Sequence, residues 1–166
     1  MITLILGGNK SGKSDLGLDF LLRGPKPAKI IVTGKALDFE FREQINRHRR
    51  ERPEWIEVQE TAASLDALLP AYAKKSGTLL VDSLDFWFYS VHDKNADDKI
   101  QALLAPLASW AGPDLFFVSS EVGLGPLPAG RETRNFCRQL GDLHLRLARM
   151  SDRVYLTVAG YPLQVK

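Results

Sequence analysis

The stretch Gly7-Gly8-Asn9-Lys10-Ser11-Gly12-Lys13-Ser14 constrains this chain more than any other. It fits the pattern G-x-x-x-x-G-K-[ST] and directly succeeds the apolar run Ile2-Thr3-Leu4-Ile5-Leu6. A buried strand, a glycine-rich turn and a helix in that order make a phosphate cradle. The glycines let backbone N–H groups turn inward around a polyphosphate, and the helix starting near Gly12 points its positive dipole end at the same anion. Lys13 is expected to neutralise the β- and γ-phosphates, and Ser14 to place its hydroxyl on the Mg²⁺ that bridges them. The context is present on both sides, since Asp15-Leu16-Gly17-Leu18-Asp19-Phe20-Leu21-Leu22 is compatible with the helix.

The architecture around such a motif depends on how much chain is left to bury it. With 166 residues, 45% of them hydrophobic and 25% charged, the sequence supports one soluble domain spanning 1–166. A net charge of +2 is too mild to indicate nucleic acid as a main partner. No apolar run reaches the roughly 18 residues a membrane span needs. The N-terminus reads as a core strand rather than a signal peptide, and the single cysteine, Cys137, excludes an internal disulfide, so a cytoplasmic location is expected. Cys137 shares a helical stripe with Phe136, Leu140 and Leu143 and reads as a buried inert thiol.

Beyond the first helix, Arg23-Gly24-Pro25-Lys26-Pro27 breaks the pattern and Lys29-Ile30-Ile31-Val32-Thr33 reads as a second buried strand, giving a β-α-β unit. Residues 38–51 are helical in composition, with Phe41, Ile45 and His48 on one face. Arg52-Pro53 ends that helix, Trp55-Ile56-Glu57-Val58 alternates as a strand does, and a further helix is expected from Thr61 to Gly77 with Leu65, Leu68, Leu69 and Tyr72 inward. Thr78-Leu79-Leu80-Val81-Asp82 is a hydrophobic strand ending in a carboxylate, which suits a Walker B position facing the P-loop. In a parallel sheet the ligand-bearing strand ends share one edge, so Asp82 can hold Mg²⁺ opposite Ser14, or alternatively cap the next helix. The aromatic segment from Asp85 to Tyr89 reads equally as core, substrate wall or subunit contact. Residues 93–98 read as a polar link, leading to a helix that carries Ile100, Leu103, Leu104 and Leu107. Leu115 to Ser119 is a fifth strand, residues 120–128 form a loop on the same edge, a helix spans 131–150, and residues 153–165 form a closing strand with a short hairpin partner. Strands alternating with helices after a P-loop imply an α/β fold: a single P-loop NTPase (RecA-like) domain, its mainly parallel sheet flanked by helices and ending in a short C-terminal hairpin.

Several separate motifs, read together, resemble one family. Gly-Gly-x-x-Ser-Gly-Lys-Ser is succeeded by Asp38-x-Glu40, Ile45-x-x-His48, Arg52-Pro53-x-Trp55 and Glu60. Then come Asp82, Ser120-Glu121-Val122-Gly123-x-Gly125-x-x-Pro128, Gly141, Ala148, Asp152-x-Val154 and Ala159-Gly160-x-Pro162-Leu163. This order and spacing resembles the bifunctional adenosylcobinamide kinase and adenosylcobinamide-phosphate guanylyltransferase of cobalamin (vitamin B12) biosynthesis, and the likeness runs end to end.

The resemblance implies a transferase that phosphorylates adenosylcobinamide and transfers GMP from GTP to the product, giving adenosylcobinamide-GDP. It implies that His48 carries the guanylyl group, a role a neutral imidazole can fill at pH 7. Lys13 is the second catalytic residue. Nucleotide contacts are implied for Gly7, Gly8, Asn9, Lys10, Ser11, Gly12, Lys13, Ser14, Val32, Thr33, Gly34, Arg49, Arg50, Glu51, Arg52, Glu60 and Asp82, with Ser14 and Asp82 on Mg²⁺. The resemblance further implies GTP or ATP as co-substrate, a corrinoid as acceptor and a homotrimeric assembly, and neither nucleic acid nor membrane is expected as a partner. The sequence departs from the family pattern at Gln44, Ser90, Ser120, His144 and Leu145. Two other readings of the residues stay open: a P-loop kinase for another small molecule with a structural His48, and a catalytically silent GTP-binding module.

Overall fold

A computed structural model describes residues 1–34, 53, 55–61, 63–93 and 95–166. Seven strands form one sheet: β1 (Ile2–Gly7), β2 (Ala28–Val32), β3 (Glu57–Glu60), β4 (Thr78–Asp82), β5 (Asp114–Ser120), β6 (Arg153–Val158) and β7 (Tyr161–Gln164). Their order across the sheet is β3-β2-β4-β5-β1-β6-β7, with every neighbouring pair parallel except the antiparallel β6 and β7. Among the described residues the α-helices are α1 (Lys13–Arg23), α2 (Leu65–Leu68), α3 (Leu84–Val91), α4 (Ala96–Leu104) and α5 (Arg131–Met150).

The central strands are apolar at consecutive positions because both faces of the sheet are covered. Ile5, Ile30, Leu80, Phe116 and Val118 point to one face, where they pack with Leu21 of α1. Leu4, Ile31, Leu79, Val81, Leu115 and Phe117 point to the other, against α3, α4 and α5. Helix α5 buries Leu140, Leu143, His144 and Leu147, a spacing that keeps one stripe on the sheet and leaves the other face wet. Each fully buried leucine of that stripe contributes about 1.5–3 kcal/mol relative to an exposed one.

Several expectations change. The third strand lies at Glu57–Glu60, two residues after the start of the stretch that alternates. The helix expected across 61–77 is only a turn at Leu65–Leu68 continued by a 3₁₀ turn at Leu69–Tyr72. Pro70 accounts for this, since its ring cannot sit beside the carbonyl four residues earlier in a continuing α-helix. Cys137 is half-buried rather than enclosed. The aromatic segment, left open by its sequence, resolves as α3: Leu84, Trp87, Phe88 and Val91 are core at helical spacing, while Tyr89 stays exposed. Helix α4 begins at Ala96, inside the stretch read as a link. The expected helix over 38–51 lies outside the described residues.

Candidate nucleotide site

The parallel strands end on one edge, and the candidate site is built there from chain segments far apart in sequence. β1 runs into the glycine-rich loop at Gly7. Gly12 precedes α1 with φ 91°, a left-handed conformation open to glycine without a Cβ penalty. Gly7 is required for space. A Cβ there would lie 2.2 Å from Thr157 Oγ1, 2.3 Å from Ser11 Oγ and 2.8 Å from the Thr157 carbonyl oxygen.

The loop is held from its far side by the C-terminal hairpin. Thr157, near the end of β6, donates to the Leu6 carbonyl at 3.1 Å, which leaves its oxygen to accept from Ser11 Oγ at 2.8 Å. The Gly160 amide, in the β6–β7 turn, donates to the Ser11 carbonyl at 2.9 Å. Lys13 Nζ donates to the Gly8 carbonyl at 3.1 Å, so its ammonium lies across the mouth of the loop. Gly8, Asn9 and Lys10 are exposed there.

Asp82 ends β4, two strands from β1. Ser14 Oγ donates to Asp82 Oδ1 at 3.3 Å. A hydroxyl and a carboxylate thus meet at the start of α1, and this hard-oxygen pair suits Mg²⁺, which takes one or two protein oxygens and completes its shell with water and phosphate. Among the described residues no group of three or more His, Cys, Asp or Glu side chains could hold a metal by itself.

Thr33 comes directly after β2 and is buried; its hydroxyl donates to the Ser83 carbonyl and accepts from the Ser83 amide at 3.1 Å. That pairing pins the turn after Asp82. Val32 and Gly34 flank it, half-buried. Glu60, exposed at the end of β3, sits at the outer edge of the sheet, four strand spacings or about 19 Å from β1. His48, Arg49, Arg50, Glu51 and Arg52 lie outside the described residues, as do Asp38, Glu40, Gln44 and Ile45.

Other residues at this edge make contacts that no sequence pattern assigns. The Glu121 amide donates to the Gly7 carbonyl at 2.9 Å, tying the loop after β5 to the P-loop. Asp85 Oδ1 accepts from the Ser120 amide at 3.1 Å. Ser119 Oγ lies 2.8 Å from Nε2 of His144, whose Nδ1 is 3.7 Å from Glu121 Oε2. Glu121 Oε1 accepts from the Gly123 amide at 2.6 Å. The facing His144 imidazole lowers the Glu121 pKa from its ordinary 4.5, burial opposes this, and the Gly123 amide adds to the lowering. For Thr157 no local pattern exists: it meets Ser11 across 146 residues of sequence.

The chain is similar to known proteins over nearly its whole length. A family profile described as cobinamide kinase / cobinamide phosphate guanyltransferase matches residues 3–165. The chain belongs to this family. It is 35% identical to the bifunctional adenosylcobalamin biosynthesis protein CobP of Pseudomonas aeruginosa, over all of this chain and 98% of that protein. It is 28% identical to the bifunctional adenosylcobalamin biosynthesis protein CobU of Salmonella typhimurium, over the full length of both. Among solved structures, a prototypical ATPase from a bacterial type III secretion system aligns with a TM-score of 0.57 at 10% identity, covering 93% of this chain and 50% of that one. A second solved ATPase domain aligns with a TM-score of 0.54 at 11% identity, covering 93% of this chain and 68% of that one. These likenesses show the P-loop NTPase fold. Cobinamide kinase / guanyltransferase family members are transferases, so the P-loop edge belongs to an enzyme fold.

Proposed function

We propose that this chain phosphorylates the aminopropanol hydroxyl of adenosylcobinamide and then transfers GMP from GTP to that phosphate, yielding adenosylcobinamide-GDP. The observation that carries the reading is the meeting of Ser14 and Asp82 beside the P-loop of a chain matched end to end by the cobinamide kinase / guanyltransferase family. Both half-reactions place negative charge on a transferring phosphoryl or nucleotidyl group. Catalysis then rests on positioning and on fixed positive charge.

In this reading the amides of Gly7 to Ser14 cradle the phosphates, Lys13 turns from the Gly8 carbonyl to the β- and γ-phosphates, and Ser14 and Asp82 hold Mg²⁺. The metal would supply charge neutralisation between phosphate oxygens. Val32, Thr33 and Gly34 are proposed nucleotide contacts, as are Arg49, Arg50, Glu51, Arg52 and Glu60, guanidiniums being suited to bidentate phosphate contact. His48 is the nucleophile that carries GMP between GTP and the corrinoid phosphate. The donor for the phosphoryl step is ATP or GTP.

The functional unit is a homotrimer in the cytoplasm. Exposed Tyr161, Leu163 and Val165 at the outer strand, and Leu124 and Leu127 on the loop after β5, are apolar surface that association would cover. Among the described residues, no helix is long and apolar enough to cross a membrane. The test is direct: incubation with adenosylcobinamide, Mg²⁺ and GTP, with products resolved by mass spectrometry, is expected to show adenosylcobinamide phosphate and then adenosylcobinamide-GDP. Turnover of another hydroxyl substrate with no reaction of the corrinoid would overturn the reading in favour of a different small-molecule kinase.

A further inference from the structure

Glu121 stands at the same sheet edge as the P-loop and Asp82, just past the strand between them: β5 has β1 on one side and β4 on the other. Its amide is bonded to Gly7, so its position is tied to the start of the phosphate loop. Behind it lies His144, only 5% exposed, with Nε2 held at 2.8 Å by the fully buried Ser119 hydroxyl. Nδ1 of that ring is buried with no hydrogen-bond partner and faces Glu121 Oε2 at 3.7 Å, beyond hydrogen-bond distance. A buried polar nitrogen left unmade is unfavourable for folding alone, so its placement behind a carboxylate calls for another reason.

The other carboxylates at this edge have different work among the described residues. Asp82 accepts from Ser14, Asp85 accepts from the Ser120 amide, and Glu60 is at the sheet's outer edge. We propose that Glu121 is the catalytic residue that accepts the proton of the attacking hydroxyl in the phosphoryl step, and that His144, fixed by Ser119, is the positioning residue that holds this carboxylate toward the P-loop. The assignment rests on the kinase half of the proposed function. In the step, the acceptor hydroxyl oxygen forms a bond to the γ-phosphorus as the bridging bond to the β-phosphate oxygen breaks. The electron pair of the broken bond leaves on the nucleoside diphosphate, and the hydroxyl proton passes to Glu121 Oε2 and from there to water. Glu121 is suited to start ionised, since the facing imidazole and the Gly123 amide lower its pKa. Oε1 stays on the Gly123 amide while Oε2 takes the proton, so the carboxylate acts without losing its anchor.

The experiment uses the full chain with adenosylcobinamide, Mg²⁺ and ATP or GTP under single-turnover conditions. E121Q keeps the shape and the bond from the Gly123 amide but cannot take a proton. Phosphoryl transfer is expected to slow by about 10²- to 10⁴-fold. The Kd for a non-hydrolysable GTP analogue is expected to stay at its wild-type value, and the protein to stay folded at the assay temperature, its melting temperature lowered only by the loss of one stabilising charge. H144F, which keeps a ring but removes both nitrogens, is expected to lower the phosphoryl-transfer rate about tenfold with KM unchanged, and H144N, which restores a nitrogen near the Nδ1 position, to recover most of it. Transfer by E121Q within about threefold of wild type overturns the assignment while leaving the functional reading intact. Loss of nucleotide binding and melting temperature together in E121Q makes the carboxylate structural and also overturns it. A wild-type protein that binds nucleotide but never phosphorylates the corrinoid overturns the functional reading and this assignment with it.

Discussion

Replacing Thr157 by valine keeps the shape of a buried side chain and deletes only the hydroxyl that links the last parallel strand to the P-loop. That hydroxyl makes two bonds, to the Leu6 carbonyl at 3.1 Å and with Ser11 Oγ at 2.8 Å, and both Thr157 and Ser11 are almost wholly buried. In the valine variant the Ser11 hydroxyl is stranded, at a cost of about 1–3 kcal/mol for a buried group left unpaired. At about 2–4 °C per kcal/mol for a domain of this size, the melting temperature is expected to fall by about 2–12 °C. Ser11→Ala is milder, about 0.5–1.5 kcal/mol, because Thr157 keeps its bond to Leu6. The two changes remove the same contact, so the double variant is expected to lose less than the sum by at least about 0.5 kcal/mol. Urea unfolding of the four proteins gives the coupling, and binding of a GTP analogue gives its functional echo, since Ser11 lies inside the phosphate loop. Additive losses, or a Thr157→Val protein as stable as wild type, would refute the claim that the hairpin braces the P-loop through this hydroxyl.

Three further outcomes concern the same edge. Lys13→Ala removes the fixed charge of the P-loop and is expected to cost at least about 3 kcal/mol of transition-state stabilisation, roughly a hundredfold or more in both half-reactions; near-normal turnover would defeat the P-loop assignment. Asp82→Asn keeps the shape while removing a charge beside Ser14, so the Mg²⁺ concentration for half-maximal rate is expected to rise without a change in fold, and an unchanged Mg²⁺ titration would return Asp82 to a capping role. Glu121 has its pKa lowered in the folded state, so its contribution to stability is present above the ordinary 4.5 and is lost as pH falls through the lowered folded value. Melting curves taken down to acid pH are expected to show a smaller acid-side loss in E121Q than in the wild-type protein, and superimposable profiles would remove this carboxylate's charge from the stability of the fold.

How much of this is legible in the sequence depends on whether the signal is local. The glycine-rich loop, the hydrophobic strand ending at Asp82 and the stripe of α5 are written in contiguous residues, so glycine spacing and hydrophobic period suffice to find them. The reading of 61–77 as one helix fails because apolar spacing at Leu65, Leu68, Leu69 and Tyr72 outweighs Pro70 in the pattern, whereas the backbone constraint of that proline decides the local geometry. The contacts of Thr157 with Ser11, of Gly160 with the P-loop and of His144 with Ser119 are hidden for another reason: each joins residues that only the sheet order brings together. Thr157 and Ser119 look like ordinary strand residues until β6 and β5 are known to flank β1. His144 lies on the apolar stripe of α5 and is buried there, and its contacts with Ser119 and Glu121 have no local sequence signal.

One polypeptide using its P-loop edge to load GMP onto His48 and deliver it to a corrinoid phosphate is the central claim. Incubation of the wild-type chain with Mg²⁺ and GTP labelled in the α-phosphate, with denaturation and peptide mapping afterwards, tests it most directly. The expected result is an acid-labile GMP adduct on the peptide containing His48, discharged by adenosylcobinamide phosphate. In His48→Asn the adduct is expected to be absent while much of the corrinoid phosphorylation is retained. Wild-type labelling in that variant, or an adduct mapped to the peptide containing His92 or His144, would contradict the claim.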